Sequence, residues 1–182
     1  MAMLRFIAIL SPNLSQTLVI AQTLSPRVEV CRPDGLLLEV PDRHERDILD
    51  QLLRLTGALH FGVASTRMAA LVVARLKPGT IIPSGKERDC LSALPVSLSG
   101  LCGAELGHNV SAEFLVILDR WGVRTWGDLA ALPEPELAAR LGQRGLRLQR
   151  MARGEDILPF QPYYTDPLFE ESQELEWTLD SL

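Results

Sequence analysis

The order of apolar and polar positions divides the chain into two unlike halves. Arg5–Leu10 is a short apolar run, readable as a buried strand or as the start of a helix. Leu14, Leu18, Ala21 and Leu24 then recur at helical spacing, with Ser11 or Asn13 placed to cap, and Pro26 ends the helix. Val28 and Val30 alternate with Glu29 and Cys31, which predicts a strand over residues 27–32. Pro33-Asp34-Gly35 is a turn, and residues 36–40 form the return strand of an antiparallel hairpin. Ile48, Leu49, Leu52 and Leu55 lie on one stripe of a helix over 42–55. A strand over 59–64, a helix over 66–76 stopped by Lys77-Pro78-Gly79, and a short strand at 80–82 complete this half.

That order predicts an α+β unit, a sheet with helices on one face. Residues 83–86 (Pro-Ser-Gly-Lys) mark its end. From Glu87 to Arg153 the pattern is helical and is broken at Pro95, Gly100, Gly103, Gly122, Pro133 and Gly142, as in a small domain of short helices. The expected division is 1–85, 86–157, and a Pro-rich linker with the start of a further strand at 158–182. No internal repeat is visible.

Composition narrows the class. Of 182 residues, 47% are hydrophobic, enough for a real core, and the net charge of −5 argues against a surface coated with nucleic acid. A local basic face remains compatible with that charge. Three scattered cysteines, with no Cys-x-x-Cys or Cys/His cluster, support neither a zinc site nor a disulfide framework. They read as free thiols of a cytoplasmic protein. No apolar run approaches the ~18 residues of a membrane helix, and the first residues lack a leader cleavage site.

Two places carry candidate chemistry. Asp34, followed by Gly35, sits at the hairpin turn. A lone carboxylate holds magnesium poorly, and an Asp in a turn more often accepts backbone hydrogen bonds. In the helical half, Gly122 ends one helix and Thr125 is placed to cap the next. That would leave helix amides facing outward, an arrangement suited to phosphate. Arg140, Arg144, Arg147, Arg150 and Arg153 then recur every three or four residues with no acid among them. On one helix they would make a broad basic face, either a solvated surface or a set of phosphate contacts.

These segments resemble Y-family, lesion-bypass DNA polymerases. Residues 25–40 are similar to the palm hairpin, residues 61–74 to the strand and helix that follow it, and Lys77-Pro78-Gly79 loosely to a Lys-Pro-x-Gly element. Residues 115–130 (Leu-Val-Ile-Leu-Asp-Arg-Trp-Gly-Val-Arg-Thr-Trp-Gly-Asp-Leu-Ala) are similar to the thumb's helix-turn-helix, a helix-hairpin-helix-like element. In active members the hairpin turn carries an adjacent Asp-Glu pair for magnesium, with a further Asp on the first strand. Here the pair reads Asp34-Gly35, and residues 1–10 contain no acid. The resemblance is nearest to the catalytically inactive ImuB-like subgroup. It implies a partial palm, a thumb, no fingers and no little finger.

The function so implied is a non-catalytic, DNA-binding adaptor in damage-induced translesion synthesis and SOS mutagenesis in bacteria. DNA would be held through its phosphates by Gly122, Val123, Arg124, Thr125, Arg140, Arg144, Arg147 and Arg150. Implied partners are an error-prone replicative-type polymerase, a RecA-like accessory protein and the sliding clamp, with no membrane and no cofactor. Gln51–Leu55 and Asp166–Phe169 are the candidate clamp-binding peptides. Two alternatives stay open: a minimal magnesium-dependent nucleotidyltransferase using Asp34 with Glu39 or another acid, and a scaffold acting through protein contacts alone.

Overall fold

The computed structural model describes residues 3–102 and 110–164. Its centre is a five-stranded sheet in the order β2-β3-β1-β4-β5. The strands are β1 (Leu4–Leu10), β2 (Val28–Cys31), β3 (Gly35–Pro41), β4 (His60–Ala64) and β5 (Thr80–Ile81). All neighbours are antiparallel except β4 and β5, so the sheet is mixed. Helices α1 (Leu14–Leu24), α2 (Glu45–Thr56) and α3 (Arg67–Leu76) connect them.

The boundaries follow from local chemistry. Asn13 caps α1 by accepting from the Gln16 amide, and Thr66 caps α3 by accepting from the Ala69 amide. A 3-10 turn at Asp42–His44 takes the first residues of the helix expected over 42–55.

The expected single layer of helices is corrected. Ile7, Ile9, Leu36, Leu38 and Val63 face Ala21 of α1 and Leu49 and Leu52 of α2. Ala8 and Leu37 face the opposite way, toward α3. The physical reason lies in the strands themselves. Ile7-Ala8-Ile9 and Leu36-Leu37-Leu38 are apolar at successive positions, so both faces of the sheet must be covered.

Contact between α3 and the sheet is close at Gly62. A Cβ there would lie 2.5 Å from the Ala70 carbonyl oxygen and 2.6 Å from the Ala74 amide nitrogen, so only glycine lets the helix backbone settle onto β4.

Beyond β5 the chain is helical: α4 (Glu87–Leu91), a 3-10 stretch (Val96–Cys102), α5 (Ala112–Arg120), α6 (Trp126–Ala131) and α7 (Glu134–Ala152). Leu91, Trp126, Leu129, Leu148 and Met151 are buried in the same apolar cluster as Met68, Leu71 and Val72 of α3. A short bridge between Pro95 and Thr125 ties the entry of this half to the α5–α6 turn, with the Val96 amide on the Arg124 carbonyl at 2.9 Å. None of the described helices is long and apolar enough to cross a membrane.

Candidate nucleic-acid interface and the Asp34 cleft

Asp34 lies where the β2–β3 turn meets the end of β1. Leu10 is the register partner of Gly35, and the Ser11 amide donates to the Asp34 carbonyl at 2.8 Å. The Arg32–Pro33 peptide is cis and forms part of this turn. Arg75, near the end of α3, holds both Asp34 carboxylate oxygens, at 2.8 and 3.3 Å. That hydrogen-bonded guanidinium keeps the carboxyl below its ordinary range, against the smaller opposing effect of burial.

The pair borders an open cleft of about 830 Å³, lined by Leu10, Asn13, Leu59 and His60 among others. Glu39 does not join it. It stands four residues along β3 from Gly35, about 13 Å at strand rise, and its carboxylate is bound by Arg27 at 2.9 Å through each oxygen. Asp34 and Glu39 are therefore not brought together.

The arginine run does not lie on one helical face. Gly142 adopts φ 58° and ψ −154° in the middle of α7, a conformation that glycine takes readily, and it breaks the helix into two segments. Arg140 falls before this break and stacks on the Trp121 ring, 5.4 Å from its centroid. Arg144 and Arg147 follow the break, are exposed, and carry no hydrogen bond or ion pair among the described residues. Arg150 is engaged by the Asp156 carbonyl and by Glu155. Arg153 is engaged by the Ala130 carbonyl and by Glu134.

At the Gly122 turn the expected outward amides are corrected. The Gly122 amide donates to Asp119 and that of Val123 to Leu118. Those of Arg124 and Thr125 donate to the Asp128 carboxylate at 3.1 and 2.9 Å. Trp126 and Gly127 donate to the carbonyls of Leu94 and Ser92. Asp128 and Thr125 form a reciprocal capping box. The backbone bonds from Thr125 and Arg124 lower the Asp128 pKa. A carboxylate thus fills the position that a phosphate was expected to take.

A polar junction went unread in the sequence. Arg67 and Glu29 form a buried ion pair between α3 and β2. Burial opposes the Arg67 charge, but Glu29, with Cys31 and Asp156 adding, leaves the pKa raised. Asp156 accepts from the Met68 amide at 2.8 Å, and Thr66 donates to the Gly154 carbonyl at 2.6 Å. The end of the helical half is thereby fixed to the start of α3. The sequence signal was an arginine opening an otherwise apolar helix, Arg67-Met68-Ala69-Ala70-Leu71-Val72-Val73. Of the two candidate clamp peptides, Gln51–Leu55 lies within α2 with Leu52 fully buried. Asp166–Phe169 lies outside the described residues.

DinB from Sulfolobus solfataricus superposes with a TM-score of 0.57 at 19% identity, over 81% of this chain and 46% of that one. A Dbh ternary complex with partly disordered substrates gives 0.53 at 19% identity, over 77% and 44%. The fold of this chain is similar to that of these two solved structures.

No family model matches the sequence. Protein ImuB of Caulobacter vibrioides, in two strains, is 29% identical over 149 residues, covering 75% of this chain. The chain spans 31% of the length of those curated relatives.

Proposed function

We propose that this polymerase-like chain acts in DNA damage tolerance as a non-catalytic, DNA-binding adaptor. The observation that carries the reading is the grip of Arg75 on Asp34. Two-metal nucleotidyl transfer needs carboxylates that bridge two ions about 3.5–4 Å apart. Asp34 has both oxygens engaged by a cation, the register partner of the adjacent Gly35 is Leu10, and Glu39 is held by Arg27 about 13 Å along the strand from Gly35. This residue set does not fit a magnesium pair, which disfavours the minimal nucleotidyltransferase.

DNA contact then falls to side chains. Arg144 and Arg147 offer exposed guanidinium groups with no hydrogen bond or ion pair among the described residues, Arg140 and Arg124 are further candidates, and Arg150 contributes where Glu155 allows. Gly122, Val123 and Thr125 shape the turn and do not supply phosphate donors. Similarity to ImuB supports a place beside an error-prone replicative-type polymerase, a RecA-like accessory protein and the sliding clamp, in bacterial damage-induced mutagenesis.

The test is fluorescence anisotropy on primer-template and single-stranded DNA over a salt series, with magnesium-dependent primer extension in parallel. The expected result is salt-sensitive binding without extension. In Arg144→Glu/Arg147→Glu the log–log salt slope should flatten by about 0.9 per lost duplex phosphate contact. Extension above background would overturn the non-catalytic reading. No binding at low salt would leave a scaffold acting through protein contacts, which the net charge of −5 and the carboxylate at the α6 N-terminus favour.

A further inference from the structure

The arm that leaves α7 crosses the sheet and docks on β2, an outer strand. Gly154 and Asp156 are held at the start of α3. The Gln161 amide donates to Glu29 at 3.3 Å, and the Tyr163 amide donates to the Val28 carbonyl at 2.6 Å. These bonds fix the backbone of the arm and leave two rings in water. Tyr163 is 45% exposed and Tyr164 72%. Two adjacent exposed rings make a patch, unlike apolar residues scattered singly over a surface.

The surroundings of this patch are aromatic and basic. Arg27, just before β2, lies 5.2 Å from the centroid of the Phe160 ring, which is 5.8 Å from that of Phe6. Glu39 binds the Arg27 guanidinium and chiefly raises its pKa, and Tyr164 is close enough to add to the rise. Arg27 is half exposed with its charge balanced, so it offers a flat stacking plane more than a phosphate contact. Tyr163 also walls a groove of about 460 Å³, lined by Leu14, Leu18, Val30, Arg32 and Pro33. Arg32 is exposed and is the one charged group among the described residues of that lining. The carboxylates of β2 and β3, Glu29 and Glu39, are each largely buried against an arginine.

We propose that Tyr163, Tyr164 and Arg32 form a stacking platform for the unpaired bases of single-stranded DNA. Every base has a π-face, and aromatic rings and guanidinium planes take it by stacking. Arg32 then meets a phosphate of the same strand, with no carboxylate in the described lining to oppose it. Arg27 and Arg32 stand about 16 Å apart at strand rise, the length of about five bases at a 3.4 Å step. A duplex keeps its base faces inside its own stack and offers the rings nothing, so the platform selects single strands. It rests on the reading that the chain meets DNA, but it uses none of the arginines of α7.

Anisotropy on the full chain tests it, with a labelled oligothymidylate of about twelve nucleotides beside a blunt duplex of the same length. Tyr163→Ala/Tyr164→Ala should weaken single-strand binding by about fivefold or more per ring and leave duplex binding unchanged. Tyr163→Phe/Tyr164→Phe keeps the rings and should keep the affinity. Tyr164→Ala alone leaves the Val28 contact of its neighbour in place, and should show its share of the loss at an unchanged melting temperature. Arg32→Gln should flatten the single-strand log–log salt slope by about 0.7. An alanine pair that binds the single strand as the wild type does overturns the proposal. So does a loss that is equal on the duplex, or one that the phenylalanine pair shares. Arg144→Glu/Arg147→Glu in the same assay separates the two readings. Unchanged affinity there, beside a loss in the tyrosine variants, removes the α7 contacts and keeps the platform, and the opposite pattern removes the platform.

Discussion

The Asp34 carboxylate and the Arg75 guanidinium meet in a two-oxygen, two-nitrogen pair although 41 residues separate them in sequence. The pair joins the β2–β3 turn to the end of α3, beside the end of β1 where the Ser11 amide meets the Asp34 carbonyl.

Stability should therefore carry an acid-side signature from Asp34. Its folded pKa is depressed, so its contribution is complete above the unfolded value and is lost as pH falls through the folded one. The Asp34 side chain is 41% exposed, so solvent screening limits the contribution to about 1 kcal/mol or less. Urea melts between neutral pH and pH 3 should show Asp34→Asn less stable than wild type at pH 7, with the two curves converging in acid. Arg75→Ala should reproduce the neutral-pH loss. Curves that stay parallel to the lowest pH would show that the ion pair contributes nothing.

Gly62 offers a sharper effect on the core. A methyl group there meets backbone atoms of α3, not a flexible side chain, so α3 must move away from β4. Gly62→Ala should destabilise the protein by about 1–3 kcal/mol or more, the range for overpacking a close contact. Thermal denaturation measures it. A neutral result would mean that α3 rides more loosely on the sheet than the structure shows.

Much of the fold was legible because its signals are local. Asn13 and Thr66 stand where caps belong, Gly57 follows α2, and the alternation of Val28 and Val30 defines β2. The second helical layer was legible in principle from the triple leucine at 36–38. The order of elements alone does not say on which face each helix lies, and the expectation of one face rested on that order. The candidate site was less legible. Arg75 looks like a basic residue in the last turn of a helix, and nothing near it in sequence points to Asp34. Asp128 follows Thr125 at capping-box spacing and was visible in sequence. Reading Thr125 alone left the amides free, whereas its partner carboxylate uses them. The regular spacing of the arginines concealed the break at Gly142, since a helical period holds only while the helix does.

Asp156 should behave oppositely to Asp34. Burial raises its pKa, against the hydrogen bonds from the Met68 and Arg67 amides and the nearby Arg67 charge, with Glu29 adding to the rise. A raised folded pKa means that the ionised carboxylate costs stability above the unfolded value, and that the cost fades as pH falls through the folded pKa. Asp156→Asn keeps an oxygen for the Met68 amide and removes the buried charge. It should match or exceed wild-type stability at pH 7, by up to about 1 kcal/mol, and lose that margin below pH 4. Chemical denaturation at both pH values is the check. A clear loss at neutral pH would show that attraction to Arg67 outweighs the desolvation.

Asp128 and Thr125 allow the thumb-like turn to be separated from the arginine side chains in DNA binding. Thr125→Ala removes half of the capping box and should cost about 1 kcal/mol of stability. Asp128→Asn keeps an oxygen for the amides of Arg124 and Thr125 but withdraws the negative charge from the α6 N-terminus. If DNA lies near this turn, that change should tighten binding at low salt by a factor of a few. The gain should fade toward 1 M salt, where the screening length falls to about 3 Å. Anisotropy on the primer-template used for the arginine variants provides the measurement. Unchanged affinity in Asp128→Asn, beside a clear loss in Arg144→Glu/Arg147→Glu, would place the DNA along the second segment of α7 and away from the turn. Unchanged affinity in both would remove the helical half from the DNA contact altogether.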